Sequence, residues 1–483
     1  MGLLGILLAL GVLIGLAYRG WSVLLLAPVA ALLAAAFAQE PLLAHWTQTF
    51  MGSAARFLAQ FFPLFLLGAL FGKLMDDSGS IAAIAAFMTK SLGHRHAMLA
   101  VVLCGTLVTY GGVSLFVAFF MLVPMANALF QAAAIPRRLI PAAIVLGTST
   151  FTMSALPGTP SIQNAIPMPF FGTTPFAAPG LGVIAAAIML FFGLWWLARA
   201  QSAARQAGEG YGGEPASTAP LATDEFLRER ATTAREFDPI EIDQGHSSDT
   251  TPPILLAVLP LAVVVGVNFL MAMVVLPRLD ASFLAEERWG ATSLQAVAGV
   301  WAVVLALAAA IVTLIVINRS RLPELRQSMD AGANASVLPA MSVASLVGFG
   351  AVVAALPSFA IVRDWVSAIG GDPLVSLAVA TNVLAALTGS ASGGLTIALD
   401  ALGGTYMALA AKGGIDPALM HRVAVIGSGT LDSLPHNGAV VTLLALVGTT
   451  HRESYLDLAV VAIAGAVLAL AAVIILGMTF GSF

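Results

Sequence analysis

The chain has 483 residues, of which 59% are hydrophobic and only 10% charged, with a net charge of −4. Soluble domains carry about 25% charged residues, so a soluble globular protein is excluded, and the slightly acidic balance argues against a nucleic-acid partner. The single cysteine, Cys104, lies in an apolar run, which leaves no disulfide framework.

The opening stretch MGLLGILLAL has no basic leader and no small-residue cleavage site, and reads as a first span and not a signal peptide. A helix needs about 20 mostly apolar residues to cross a bilayer. On that measure the first half offers spans at 3–18, 21–38, 57–74, 139–155 and 178–197. The second half offers 253–276, 294–317, 337–356, 417–446 and 455–477. Residues 199–252 are polar, of mixed charge and rich in Gly, Pro and Ser, so they read as a flexible cytoplasmic linker. The linker separates a first membrane repeat, 1–198, from a second, 253–483.

Two apolar stretches do not fit simple spans. One, 97–131, is interrupted by TYGGVS, and the other, 374–411, by LTGSASGG. Each arm has roughly 15–18 residues, about 22–27 Å of helix, which is short for a crossing. Glycines and hydroxyls at the midpoint suit a re-entrant hairpin. Irregular backbone at such depth is tolerated only inside protein or against a water-filled cavity.

The halves are in register. Gly72 and Gly350 are 278 positions apart, as are Gly111 and Gly389, Ser114 and Ser392, Leu156 and Leu434, and Pro157 and Pro435. One offset held over this distance is the mark of an internal duplication. Each repeat then carries five crossings, one of them broken, and one hairpin. An odd number of crossings turns the second copy upside down, so the expected fold is an all-α polytopic membrane protein built from two inverted repeats. Inverted repeats with broken helices point to a secondary transporter. With the N-terminus outside, most Lys and Arg fall on the cytoplasmic side, as the positive-inside rule requires.

Four interruptions are expected to meet near the midplane. The hairpin tips supply Gly111, Gly112 and Ser114, with Ser390 and Ser392 from the second copy. The first broken helix, GTSTFTMSALPGTPSIQN, supplies Ser154, Pro157, Gly158, Thr159 and Asn164; the second supplies Ser433 and Asn437. Its prolines remove backbone donors and clash with the preceding turn. The restarted helix opens with free N–H groups and a positive dipole end, suited to a carboxylate. For any one Ser or Thr, capping or back-bonding is the commoner role; the cluster as a whole reads as a substrate site. The expected core holds no Lys or Arg, which favours a small monocarboxylate over a multiply charged anion.

The second break, LDSLPHNG, contains two ionisable groups. By the offset, Asp432 replaces Ser154 and His436 replaces Gly158, so the fold itself demands neither. A charge at mid-membrane costs about 3 kcal/mol or more, and such residues mark proton or substrate pathways. Asp432 and His436 are therefore read as proton-coupling groups, with Asp400 in the second hairpin as a third candidate. The alternatives are helix capping for His436, an N-cap role for Asp432, and a bond within the hairpin for Asp400. His421 and Arg422 read as interfacial anchors, and Lys73, Asp76 and Asp77 as the solvated end of the third span. No metal cluster, nucleophile elbow or phosphate loop occurs, so the reading is non-enzymatic, with no cofactor and no metal.

The segments LLGALFGKLMDDSGSIAAIAAFMTKSLG, TYGGVSLFVAFFMLVPMANAL, ALPGTPSIQNAIP and GSGTLDSLPHNGAVVTLLALVGTTHRESYLD resemble the gluconate permease family of bacterial transporters, with its hydroxybutyrate-type branch nearer. The resemblance covers nearly the whole chain except the linker. It implies proton-coupled uptake of small hydroxylated monocarboxylates across the bacterial inner membrane, on the layout of the broader ion-transporter superfamily. Gluconate-type members carry a His-Val-Asn-Asp-like break where this chain has Pro435-His436-Asn437-Gly438, a departure that counts against gluconate itself. Sodium is the rival coupling ion, a passive channel for small organic anions is the alternative of another class, and a homodimer is compatible with the pattern.

Overall fold

The computed structural model describes residues 2–17, 21–93, 96–113, 115–212, 248, 250–361, 372–388, 390–435 and 437–483. Every regular element among them is helical. In the first half these are α1 (Gly2–Ala17), α2 (Val23–Phe37), α3 (Leu42–Asp77), α4 (Ser80–Leu92), α5 (Ala97–Tyr110), α6 (Leu115–Ala132), α7 (Ile140–Thr148), α8 (Phe151–Ser154), α9 (Ile162–Ala165), α10 (Pro167–Phe171) and α11 (Pro179–Gln206). In the second they are α12 (Ile254–Arg278), α13 (Leu294–Ile317), α14 (Leu325–Ala355), α15 (Pro373–Thr388), α16 (Ala391–Gly413), α17 (Pro417–Thr430), α18 (Gly438–Val447) and α19 (His451–Phe480). Seven of these helices are long and apolar enough to cross a membrane, and several shorter apolar ones accompany them.

The third and eighth expected spans are longer than their apolar runs. Helix α3 starts at Leu42, well before residue 57, and has 36 residues. At 1.5 Å per residue that is about 54 Å, well over the roughly 30 Å hydrocarbon core. A π-helical turn at His45–Phe50 and Pro63 inside the helix mark where its path adjusts. Its counterpart α14 has 31 residues. Helix α4 was not expected as an element, and α11 runs through the expected linker boundary to Gln206.

Local signals explain several helix starts. Pro417 opens α17 behind Asp416, whose side chain accepts the Ala418 N–H at 2.8 Å. Thr450 and Glu453 form a capping box at the start of α19. The expected linker begins with docked residues: Tyr211 donates to Asn127 at 3.0 Å, and Arg138 bridges Glu209 and Asp457.

Packing is reciprocal between the halves. Helix α2 packs on α14, and its counterpart α13 packs on α3. Helix α18 packs on α6 of the other half, while α9 and α10 pack on α16. The paired counterparts α3 and α14 touch each other, as do α11 and α19. Within each half, α5 packs on α6 and α7, and α15 on α16 and α17. One continuous apolar core runs through both halves, with a smaller cluster where α1 and α2 meet α14.

Candidate functional site

Both helical pairs turn over tight connections. At the first, Gly112 has φ +99°, a conformation that L side chains rarely adopt. A Cβ there would also stand 3.2 Å from the Pro160 Cγ of the first break. Tyr110 reaches the same break, donating its hydroxyl to the Pro157 carbonyl at 2.8 Å. At the second, Ser390 caps α16 by accepting the Gly393 N–H at 3.2 Å, and Ser392 lies 3.3 Å from it. Gly112→Val is expected to lower the initial uptake rate about ten-fold through backbone strain. Transport at the wild-type rate would show that the tip tolerates a side chain.

The first break is an unwound run between α8 and α9. Ser161 starts the new helix, accepting the Asn164 N–H at 3.3 Å and donating its hydroxyl to Met153 O at 2.7 Å. Gly158, at φ +78°, donates its N–H to Pro175 O at 2.9 Å and accepts Asn268 Nδ2 at 2.8 Å. The Asn164 amide donates to Thr159 O and Pro175 O, each at 3.0 Å. Its Oδ1 lies 3.1 Å from His421 Nε2, whose ring reaches Thr173 Oγ1 at 2.6 Å through Nδ1. An amide oxygen only accepts, so Nε2 carries the ring proton and Thr173 donates to Nδ1.

The second break is tied differently. Asn437 Oδ1 accepts the Ala439 N–H at 2.8 Å and that of Val440 at 3.3 Å, capping α18, while its Nδ2 donates to Asp432 Oδ1 at 2.9 Å. The Ala391 backbone of the second tip lies beside the same carboxylate. The carboxylate thus braces the restarted helix beside the second tip.

A cavity of about 190 Å³ opens where these parts converge. Gly112, Val113, Ser390 and Ser392 come from the two tips, Met153 and Pro160 to Gln163 from the first break, and Leu64 to Asp76 from α3. Ala335 to Leu346 of α14 close it. A second cavity of about 20 Å³ lies beside it, lined by Ser149, Asp432, Ser433 and Asn437 among others. That is room for about one water. Leu115, Met153 and Gln163 line both cavities and form the partition.

The expected site residues therefore divide. Gly112, Ser390 and Ser392 line the main cavity, and Asp432, Ser433 and Asn437 the small one. Gly111 is turned onto Leu261 of α12. Pro157, Gly158, Thr159 and Asn164 spend their polar groups on Tyr110, on Asn268 and on the 173–177 loop, and they line neither cavity. The Ser154 hydroxyl bonds back to Thr150 O at 3.1 Å. Asp400 lies on an exposed face of α16, its electrostatic neighbour being Arg56, outside both cavities. Ser114 and His436 lie outside the described residues.

Three expectations need correction. The restarted helices do not offer all their first N–H groups, because Ser161 and Asn437 cap them. His421 and Arg422 are not interfacial anchors: both are fully buried, because the 173–177 loop folds over the end of α17. Lys73 and Asp77 are not a solvated end. They form a buried ion pair at 2.9 Å, and Lys73 and Asp76 line the main cavity. The core therefore does contain cations. An offset that pairs Lys73 with Ala351 was the available signal, since it makes the lysine a departure from the repeat.

Residues 1–169 match the family described as GntP family permease. The chain is 42% identical over 466 residues, 95% of each sequence, to the uncharacterized transporter YxjC of Bacillus subtilis (strain 168). A solved structure of Neisseria gonorrhoeae MtrF, placed in a class of antimetabolite efflux pumps, matches with a TM-score of 0.53 at 14% identity. That match covers 90% of this chain and 84% of the other, and at such identity it speaks for the fold alone. The helical architecture and the extended relative lead to one conclusion: the chain belongs to the GntP family permeases, a multi-pass secondary transporter and not an enzyme.

Proposed function

We propose that the protein couples a proton to the uptake of a small hydroxylated monocarboxylate across the bacterial inner membrane. The observation that carries this reading is the partition of Leu115, Met153 and Gln163, which sets the Asp432 chamber directly beside the main cavity. A proton arriving at Asp432 then acts within one side chain of the substrate. The cavity is small, mixes apolar walls with Ser161, Gln163, Ser342, Ser390 and Ser392, and has Lys73 as the one cation among its described lining residues. Lys73 is already paired with Asp77 and Asp76 lines the same cavity, so little positive charge is left over, which argues against a multiply charged anion.

The reciprocal packing supports two halves related by a two-fold axis, because such an axis makes each half contact the other through equivalent surfaces, and the odd number of crossings expected in each half would lay that axis in the membrane plane. In that arrangement the first tip opens to the cytoplasm and the second to the outside. Single cysteines at positions 113 and 390, in a Cys104→Ser background, are expected to label from opposite faces. Labelling of both from one face refutes the inversion.

The functional test is uptake into proteoliposomes of radiolabelled 3-hydroxybutyrate and gluconate, under an imposed proton or sodium gradient. Accumulation driven by the proton gradient is the expected result. Accumulation driven only by sodium replaces the coupling ion. Equilibration without accumulation under either gradient identifies a passive pathway.

A further inference from the structure

Gln163 stands in the partition between the two cavities and lines both. It is 7% exposed, and its Oε1 has no hydrogen-bond partner among the described residues. Buried amide oxygens are almost always paired, so an unpaired one calls for an explanation. Nearby hydroxyls are committed elsewhere. Ser161 donates to Met153 O at 2.7 Å. Thr148 donates to Ile144 O at 2.8 Å, so Ser149, 3.1 Å from Thr148 Oγ1, must be the donor in that pair. The terminal torsion of a glutamine is soft and roughly two-fold. The amide can therefore turn its oxygen toward a guest in the main cavity.

We propose that Gln163 is a specificity-determining residue, whose carboxamide oxygen accepts a hydrogen bond from the hydroxyl of the transported acid. The proposal rests on the substrate class given above and adds the atom that reads the hydroxyl. A site built to bond a hydroxyl rejects the analogue lacking it, because the acceptor is then left buried and unpaired. A hydroxyl at Gln163 also places the bound acid against the partition, next to the Asp432 chamber.

The test uses purified full-length protein and two probes of similar shape, 3-hydroxybutyrate and butyrate. Affinities come from calorimetry, and transport from competition in proteoliposomes. Wild-type protein is expected to prefer the hydroxy acid at least ten-fold. Gln163→Met, close in shape and lacking the amide, should bring the ratio near one by weakening the hydroxy acid while sparing butyrate. Gln163→Asn, which keeps a shortened amide, should retain part of the preference. Equal wild-type affinities for the two acids overturn the inference without need of a variant, and leave the transport reading standing. An unchanged ratio in Gln163→Met overturns it as well. Binding of neither acid by wild-type protein overturns the substrate class together with the inference.

Discussion

Arg422→Met is expected to produce a large loss of stability, seen as a lowered melting temperature of the detergent-solubilised protein. The guanidinium is fully buried in α17. Its Nη2 and Nε donate to Ala177 O at 2.6 and 3.2 Å, and its Nη1 to Ser154 O at 3.2 Å. One side chain thus ties the end of α8, just before the first break, to the approach of α11. Removing it leaves two buried carbonyls unpaired, at about 1–3 kcal/mol each. That is a large part of the roughly 5–15 kcal/mol by which folded domains exceed their unfolded state. Arg422→Lys should recover little of it, because a point charge cannot reach two carbonyls in the forked geometry of a guanidinium. Arg422→Met melting with the wild type would show that the carbonyls find other donors and that the clamp is dispensable.

The burial of Arg422 shows where the sequence stops being readable. The breaks themselves were legible, because Pro157, Pro160 and Pro435 cannot continue a helix and the TYGGVS and LTGSASGG interruptions have no other use in an apolar run. What each break does with its freed groups was not legible. Gly158 and Asn164 are satisfied by Asn268, His421 and the 173–177 loop, partners that only the folded chain brings near. The same loop turns His421 and Arg422 from apparent surface anchors into buried struts. Helix α3 was cut short at residue 57 because His45, Gln48 and Arg56 lower the local hydropathy, although a helix needs no apolar run to persist. Helix α4, with 13 residues, is too short for a rule that looks for crossings. Asp432 stood out by its mismatch to Ser154 in the repeat, and the structure places it in the small cavity, bonded to the Asn437 cap of the restarted helix.

Asp432→Asn is expected to abolish gradient-driven accumulation while sparing a reduced rate of substrate exchange, since exchange requires no net proton movement. Asn437 Nδ2, at the start of α18, donates to the Asp432 carboxylate at 2.9 Å, and the Ala391 backbone of the second hairpin tip lies beside it. An ionised carboxyl only accepts, whereas a protonated one has an O–H that must donate. Taking up a proton removes the charge that strengthens the Asn437 contact, which is expected to loosen the hold on the restarted helix. Ser390 and Ser392 of the second tip line the adjoining main cavity, so protonation at Asp432 and substrate occupancy are expected to act on neighbouring elements. Coupling requires a differential interaction of this kind. Asparagine keeps an oxygen that can accept from Asn437 but carries no charge and takes up no proton, so it stays as in the protonated state. The measurement is 3-hydroxybutyrate accumulation under an imposed pH gradient, against counterflow exchange with the same substrate at equal pH. Accumulation by Asp432→Asn with the wild-type pH dependence would remove Asp432 from coupling. The search would then move to Asp76, the acidic side chain that lines the main cavity beside Lys73.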